Sequence, residues 1–278
     1  MAGMTAEGTI APDAVRIEVP PALGGGAFLM DPQMGRDHIV EQVRREGFGS
    51  FEHPLPSMFA ACARRRGGEV LDVGANTGFY SLLAVAAAGA RVHAFEPYPP
   101  VGELLRANVD LNRAADRMTI VDEAVSDRDG DTRLFIPVDD HGDIETSCSL
   151  KPDFKELIHD AVDVPVTTLD RYVGSARVGE VGVLKIDVEG LEARVLRGAA
   201  QLVDRCRPTV FVEVLDRADT RGLDQFCRCS GYVPFHLRAD AAVPTGSVRV
   251  DPDGRNQMFV PVERRGVVGD LVEAAIGG

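Results

Sequence analysis

EVLDVGANTGFYS, residues 69–81, decides how this chain is read. Val70, Leu71 and Val73 form an apolar run broken only by Asp72, as in a strand buried on both faces of a parallel sheet. Gly74 and Gly78 bracket a tight loop, and residues 79–88, FYSLLAVAAA, predict the helix that follows. A strand, loop and helix in this order carry backbone N–H groups and a helix N-terminus to the carboxyl edge of a sheet, where open α/β folds bind nucleotide-like ligands.

Spacing narrows the ligand. Dinucleotide loops read G-x-G-x-x-G because the second glycine lets the backbone close on a pyrophosphate. Here Asn76 and Phe79 hold the second and third glycine positions, and no Lys follows Gly78 as a P-loop would require. What remains is D-x-G-x-x-x-G, from Asp72, Gly74 and Gly78, a loop roomy enough for the amino-acid end of S-adenosylmethionine; a plain glycine turn in a βα unit would share the pattern. Residues 91–96, RVHAFE, predict a second strand that Pro97 stops. Glu96 at its end is placed to accept hydrogen bonds from ribose hydroxyls, which suits NAD and S-adenosylmethionine equally, although a solvated strand-end glutamate would look the same.

A chain of 278 residues with 45% hydrophobic content is long enough for one large α/β domain and an N-terminal extension. The organisation expected is an extension with cap helices over residues 1–67 and a main domain over 68–278. No apolar run reaches the roughly 20 residues that span a bilayer. The first residues, MAGMTAEGTIAPDAV, have neither a basic region nor an apolar core of the signal-peptide kind, so a soluble, cytoplasmic chain is expected. The net charge of −13 argues against a nucleic-acid partner, which needs clustered Lys and Arg. Five Cys without a C-x-x-C pair indicate neither a disulfide framework nor a zinc site.

Residues 1–30 are rich in Gly, Ala and Pro and predict little regular structure beyond a strand at 15–19. Helical patterns follow at 35–46 and 56–66, the second ending in Arg64 to Arg66, where cations complement a helix dipole. From residue 68 strands and helices alternate, the pattern of a doubly wound parallel sheet. Further strands are expected at 118–121, 131–138, 162–168, 181–188, 209–214, 232–237 and 257–262, with helices at 100–112, 191–203 and 220–229. The irregular stretch near 139–163, rich in Ser, Asp and Lys, is the candidate substrate loop.

In VGVLKIDVEG, Lys185, Asp187 and Glu189 share parity and would point to one face at the carboxyl end of a central strand. A lysine in an otherwise apolar strand is costly to bury unless paired, and Asp187 is its natural partner. The pair could be a structural ion pair, or the carboxylates could line a reaction cavity, with Glu213 on the next strand as a third.

VLDVGANTGFYSLLA, VHAFEP, EAVSDRDG, VPVTTLD and LKIDVEGLEARVLRGA together resemble the FkbM-type family of S-adenosylmethionine-dependent methyltransferases, in order from about residue 50 to 215. The resemblance implies the Rossmann-like class I methyltransferase fold: a seven-stranded, mostly parallel sheet with an antiparallel last strand and helices on both faces. It implies O-methylation of a hydroxyl, often on a sugar or natural-product scaffold. Carried over, Asp72 and the loop Gly74, Ala75, Asn76, Thr77 and Gly78 would hold the methionine end of S-adenosylmethionine, Glu96 and Pro97 would lie at the ribose, and Asp122, Glu123 and Ala124 near the adenine. KIDVEG would supply the catalytic wall, with Asp187 also bordering the cofactor.

Methyl transfer to an aliphatic hydroxyl needs a base or a Lewis acid to help remove its proton. Asp187 is the first candidate base, with Glu189 and His141 behind it and Lys185 tuning them. Asp187, Glu189 and Glu213 would also suit a hard cation such as Mg²⁺, although no spacing demands one. The rival readings are an NAD-dependent oxidoreductase, which Asn76 and Phe79 oppose, and a non-catalytic nucleotide-binding module, which Asp187 and Glu189 make less natural.

Overall fold

The computed structural model of the protein describes residues 13–33, 36–137, 148–151, 158–251 and 254–276. A hairpin of β1 (Val15–Glu18) and β2 (Ala27–Met30) leads into α1 (His38–Glu46) and α2 (Leu55–Arg66). β2 was not foreseen in the Gly-rich start; the Asn112 side chain holds it by accepting from the Leu29 amide and donating to the Leu29 carbonyl. The main sheet then opens with β3 (Glu69–Val73), followed by α3 (Phe79–Ala88), β4 (Val92–Phe95), α4 (Pro99–Leu111) and β5 (Met118–Val121). A small sheet of β6 (Ala124–Val125), β7 (Gly130–Pro137) and β8 (Ile158–Thr167) is followed by α5 (Leu169–Ser175) and β9 (Val181–Ile186).

The helix expected at 191–203 is two helices, α6 (Glu192–Arg197) and α7 (Ala200–Cys206). Gly198 marks the break: a Cβ there would lie 2.1 Å from the Ser126 carbonyl oxygen, so a neighbouring backbone crosses at that point. The Asp170 carboxylate accepts from the amides of Gln201 and Leu202 and starts the second helix afresh. β10 (Thr209–Glu213), α8 (Thr220–Ser230), β11 (Tyr232–Arg238), β12 (Ala241–Pro244), β13 (Asn256–Pro261) and α9 (Val268–Ile276) complete the chain.

The main sheet runs β12-β11-β13-β10-β9-β3-β4-β5. β4, β5, β9 and β10 pair in parallel with their neighbours around β3, whereas β13 is antiparallel to both β10 and β11. The expected seven strands are therefore present, with β12 added as an eighth at the edge. Alternation along the strands feeds two cores: Val70, Val183 and Phe211 pack toward α2 and α3, while Leu71, Leu184 and Val210 pack toward α5 to α8. The chain leaves β3 toward β4 and returns on its other side at β9, so the crevice between β3 and β9 is the switch point where open sheets bind ligands. Among the described residues no helix is long and apolar enough to cross a membrane.

Candidate active site

A cleft of about 430 Å³ opens at this switch point, within the range of ligand cavities. Val73, Gly74, Ala75, Asn76, Glu96, Pro97, Glu123 and Ala124 line it on one side, and Lys185, Asp187, Glu189 and Glu213 on the other.

The first wall is a polar cradle. Gly74 takes φ 81°, in the left-handed region that favours glycine, and its missing Cβ is needed because the Asp187 carbonyl oxygen would lie 1.9 Å from it. Glu96, 7% exposed, accepts from the Asn76 amide at 3.0 Å on one oxygen and from the Tyr98 amide at 2.9 Å on the other. Burial outweighs these bonds and pushes its carboxyl up to about 7. Each oxygen retains acceptor capacity, so the group that ends β4 can receive the two hydroxyls of a diol. Phe95, Val125, Leu134 and Leu150 supply apolar surface beside it.

Four of the expected cofactor residues are placed differently. Asp72 is buried beneath the loop: one oxygen accepts from the Ser81 hydroxyl at 2.6 Å, and the other finds no hydrogen-bond partner among the described residues. Thr77 is 1% exposed and turns its hydroxyl toward Asp37, and Gly78 packs against Leu105 at the start of α3. Neither lines the cleft. Asp122 points outward in an ion pair with Arg106, whereas Glu123 and Ala124 line the cleft.

The second wall is built on Lys185. In register with Asp72 on β3 and Phe211 on β10, it is 3% exposed and sits with its ammonium 2.9 Å from Asp187 and 4.5 Å from the centre of the Tyr80 ring. Burial alone would lower its pKa, but the carboxylates of Asp187, Asp72 and Glu52 hold it above the ordinary lysine value. Tyr80 donates to Glu52 at 2.5 Å. Burial first, and then the charges of Asp187, Glu52 and Glu189, push the Glu213 carboxyl up to about 9. Burial and Asp187 likewise raise Glu52, opposed by Lys185.

Glu189 reaches the cleft by another route than strand parity. β9 ends at Ile186, and Glu189 lies in a turn at φ 56°. That turn is braced by buried Glu192, which accepts from the amides of Gly190 at 2.9 Å and Val188 at 3.4 Å. Burial pushes the Glu192 carboxyl up to about 7. Ser149 donates to the Glu189 carbonyl, so this part of the candidate substrate loop, with Cys148 and Leu150, borders the cleft. His141 lies outside the described residues.

Sequence reasoning missed Glu52 and Tyr80. The extension brings His38, Ile39, Phe51 and Glu52 to the cleft, and Arg255 enters from the loop before β13. Tyr80 had a weak signal, a lone phenol in an apolar helix, whereas the irregular segment around Glu52 had none. Among the described residues no three His, Cys, Asp or Glu side chains form a group that could hold a metal ion. The Asp187 and Glu213 alternative therefore gains no ready-made cage.

A mostly parallel sheet with β13 and the edge strand β12 reversed, a glycine-bounded loop after its first central strand and an acid ending the next define the class I methyltransferase fold. The Methyltransferase FkbM domain matches residues 72–236, and the chain belongs to this family. It is 34% identical over 164 residues to the 31-O-demethyl-FK506 methyltransferase FkbM of Streptomyces tacrolimicus, covering 48% of this chain and 60% of that protein. The chain thus spans less than two thirds of that relative's length. Among solved structures, the METTL16 MTase domain superposes with a TM-score of 0.50 at 12% identity, over 86% of this chain and 84% of that one. The methyltransferase FkbM of Methylobacillus flagellatus KT gives 0.42 at 16% identity, over 69% and 43%.

Proposed function

We propose that the chain is an S-adenosylmethionine-dependent O-methyltransferase acting on a hydroxyl of a small molecule, a sugar or natural-product scaffold. The observation that carries this is one cleft with a diol-accepting carboxylate, Glu96, on one wall and a lysine-clamped carboxylate, Asp187, on the other. The residues fit the cofactor: Glu96 would take the ribose hydroxyls, the Gly74–Asn76 backbone the amino-acid end, and Glu123 with Ala124 the base. When bound, S-adenosylmethionine supplies an electrophilic methyl group on a sulfonium.

The protein's own part is positioning, exclusion of water and removal of a proton. Asp187, fixed by the Lys185 ammonium at 2.9 Å, accepts the proton of the incoming hydroxyl. Glu213, kept neutral by burial and its acidic neighbours, donates a hydrogen bond to the acceptor. The Streptomyces tacrolimicus relative is named a methyltransferase of 31-O-demethyl-FK506, which supports transfer to oxygen here. A net charge of −13 and a carboxylate-rich wall disfavour phosphate-bearing acceptors, nucleic acid included.

An NAD oxidoreductase is a poorer reading. Asn76 occupies the loop where a pyrophosphate needs a glycine, and its side chain accepts from the Thr77 amide at 2.7 Å. Incubation with methyl-labelled S-adenosylmethionine and a panel of sugars and polyhydroxylated natural products, read by mass spectrometry, tests the proposal. Methylated product is expected; cofactor binding without transfer to any of them would favour a non-catalytic module, and preferential NAD binding the oxidoreductase.

A further inference from the structure

Asp37 lies upstream of the matched domain, yet its carboxylate reaches the cofactor loop. One oxygen accepts from the Val40 amide at 3.1 Å and caps α1; the other accepts from the Thr77 hydroxyl at 2.8 Å. The side chain is 4% exposed and has no cationic partner in either bond. A cap alone would be served by a serine, without the cost of burying a carboxylate, so the second oxygen needs its own explanation.

That explanation lies in what else holds Thr77. Its carbonyl accepts from Asn108 at 2.9 Å, and the same Asn108 side chain accepts from the Asp31 amide at 2.9 Å. Thr77 is therefore gripped through side chain and backbone by groups that also fix the N-terminal segment. One residue earlier, the Asn76 amide is the donor that meets Glu96. One residue beyond Asp37, α1 begins to line the cleft with His38 and Ile39.

We propose that Asp37 is a positioning residue for the cofactor: through Thr77 it fixes the loop so that the Asn76 amide and Glu96 stay in their paired arrangement. The N-terminal segment is then part of the cofactor site and supplies a constraint that the matched domain does not contain. The choice of S-adenosylhomocysteine as probe rests on the methyltransferase reading; the contact itself does not.

The test is calorimetric titration with S-adenosylhomocysteine of the wild type, Thr77→Val, Thr77→Ser, Asp37→Ala and the Asp37→Ala/Thr77→Val double variant. Thr77→Val leaves the α1 cap intact and should weaken binding roughly tenfold, with Thr77→Ser restoring it to within about twofold and the double variant no weaker than the weaker single one. Thr77→Val with wild-type affinity but a lower unfolding temperature would overturn the proposal, since the bond would then serve stability alone. If Asp37→Ala does not fold, Thr77→Val against Thr77→Ser decides the matter. A wild type that does not bind S-adenosylhomocysteine refutes the methyltransferase reading instead. Amide exchange at Asn76 and Thr77 without ligand then decides this proposal: acceleration in Thr77→Val supports it, and unchanged exchange overturns it.

Discussion

Gly74 lies against the backbone carbonyl of Asp187, so that a Cβ at residue 74 would stand 1.9 Å from that oxygen. The Asp187 amide donates to the Val73 carbonyl at 2.9 Å, so the glycine loop and the cleft wall that carries Asp187 are tied through adjacent backbone. Gly74→Ala should force the strands apart, as well as straining a left-handed residue by about 1–3 kcal/mol. A lower unfolding temperature together with lost S-adenosylhomocysteine binding is expected. Wild-type behaviour in both measurements would mean that the loop is not built around this contact.

Asp187→Asn should bind S-adenosylhomocysteine within a few-fold of wild type while turnover falls by roughly 10²–10⁴, the usual contribution of a positioned base. Turnover near that of the wild type would move the proton acceptor to Glu189 or His141. Lys185→Met should cost stability instead, about 3–5 kcal/mol in chemical unfolding, because it strands the buried carboxylate of Asp72 and the partner carboxylate of Asp187.

Tyr80 has two separable jobs. Tyr80→Phe keeps the ring under the Lys185 ammonium and removes the bond to Glu52, for an expected loss of about 1.5–3 kcal/mol. Tyr80→Leu removes both and should lose clearly more. Equal losses in chemical unfolding would show that the ring contributes nothing to holding the lysine.

Stability should fall as pH rises. Burial raises Glu96 and Glu192 from 4.5 to about 7 and Glu213 from 4.5 to about 9, so the folded chain holds protons that the unfolded chain has released. Their contribution is full below about 4.5, shrinks as pH passes 7 and is lost by about 9. Urea unfolding at a series of pH values should show this decline, with Glu213→Gln flattening its upper part. A midpoint that climbs from pH 6 to 9 would contradict it.

The βα unit at 69–88 was legible because a buried parallel strand, a glycine loop and an unbroken apolar helix each leave a distinct local pattern. Glu96, Lys185 and Asp187 were legible for a related reason: a charged residue inside or ending a central strand has to be paired or functional. Strand parity points to Glu189, but it reaches the cleft through a left-handed turn that parity does not describe. Glu52 and Asp37 escaped because their roles depend on tertiary placement: each lies far from its partner, Tyr80 or Thr77, in sequence. The family resemblance points Thr77 and Asp72 at the ligand, whereas their side chains hydrogen-bond behind the loop, to Asp37 and Ser81.

A crystal structure of the protein with S-adenosylhomocysteine tests the placement of the cofactor in this cleft most directly. The ribose diol is expected on Glu96, the adenine beside Glu123 and Ala124, and the sulfur facing Lys185 and Asp187. A ligand bound elsewhere, or a cleft that stays empty at saturating concentration, would contradict it.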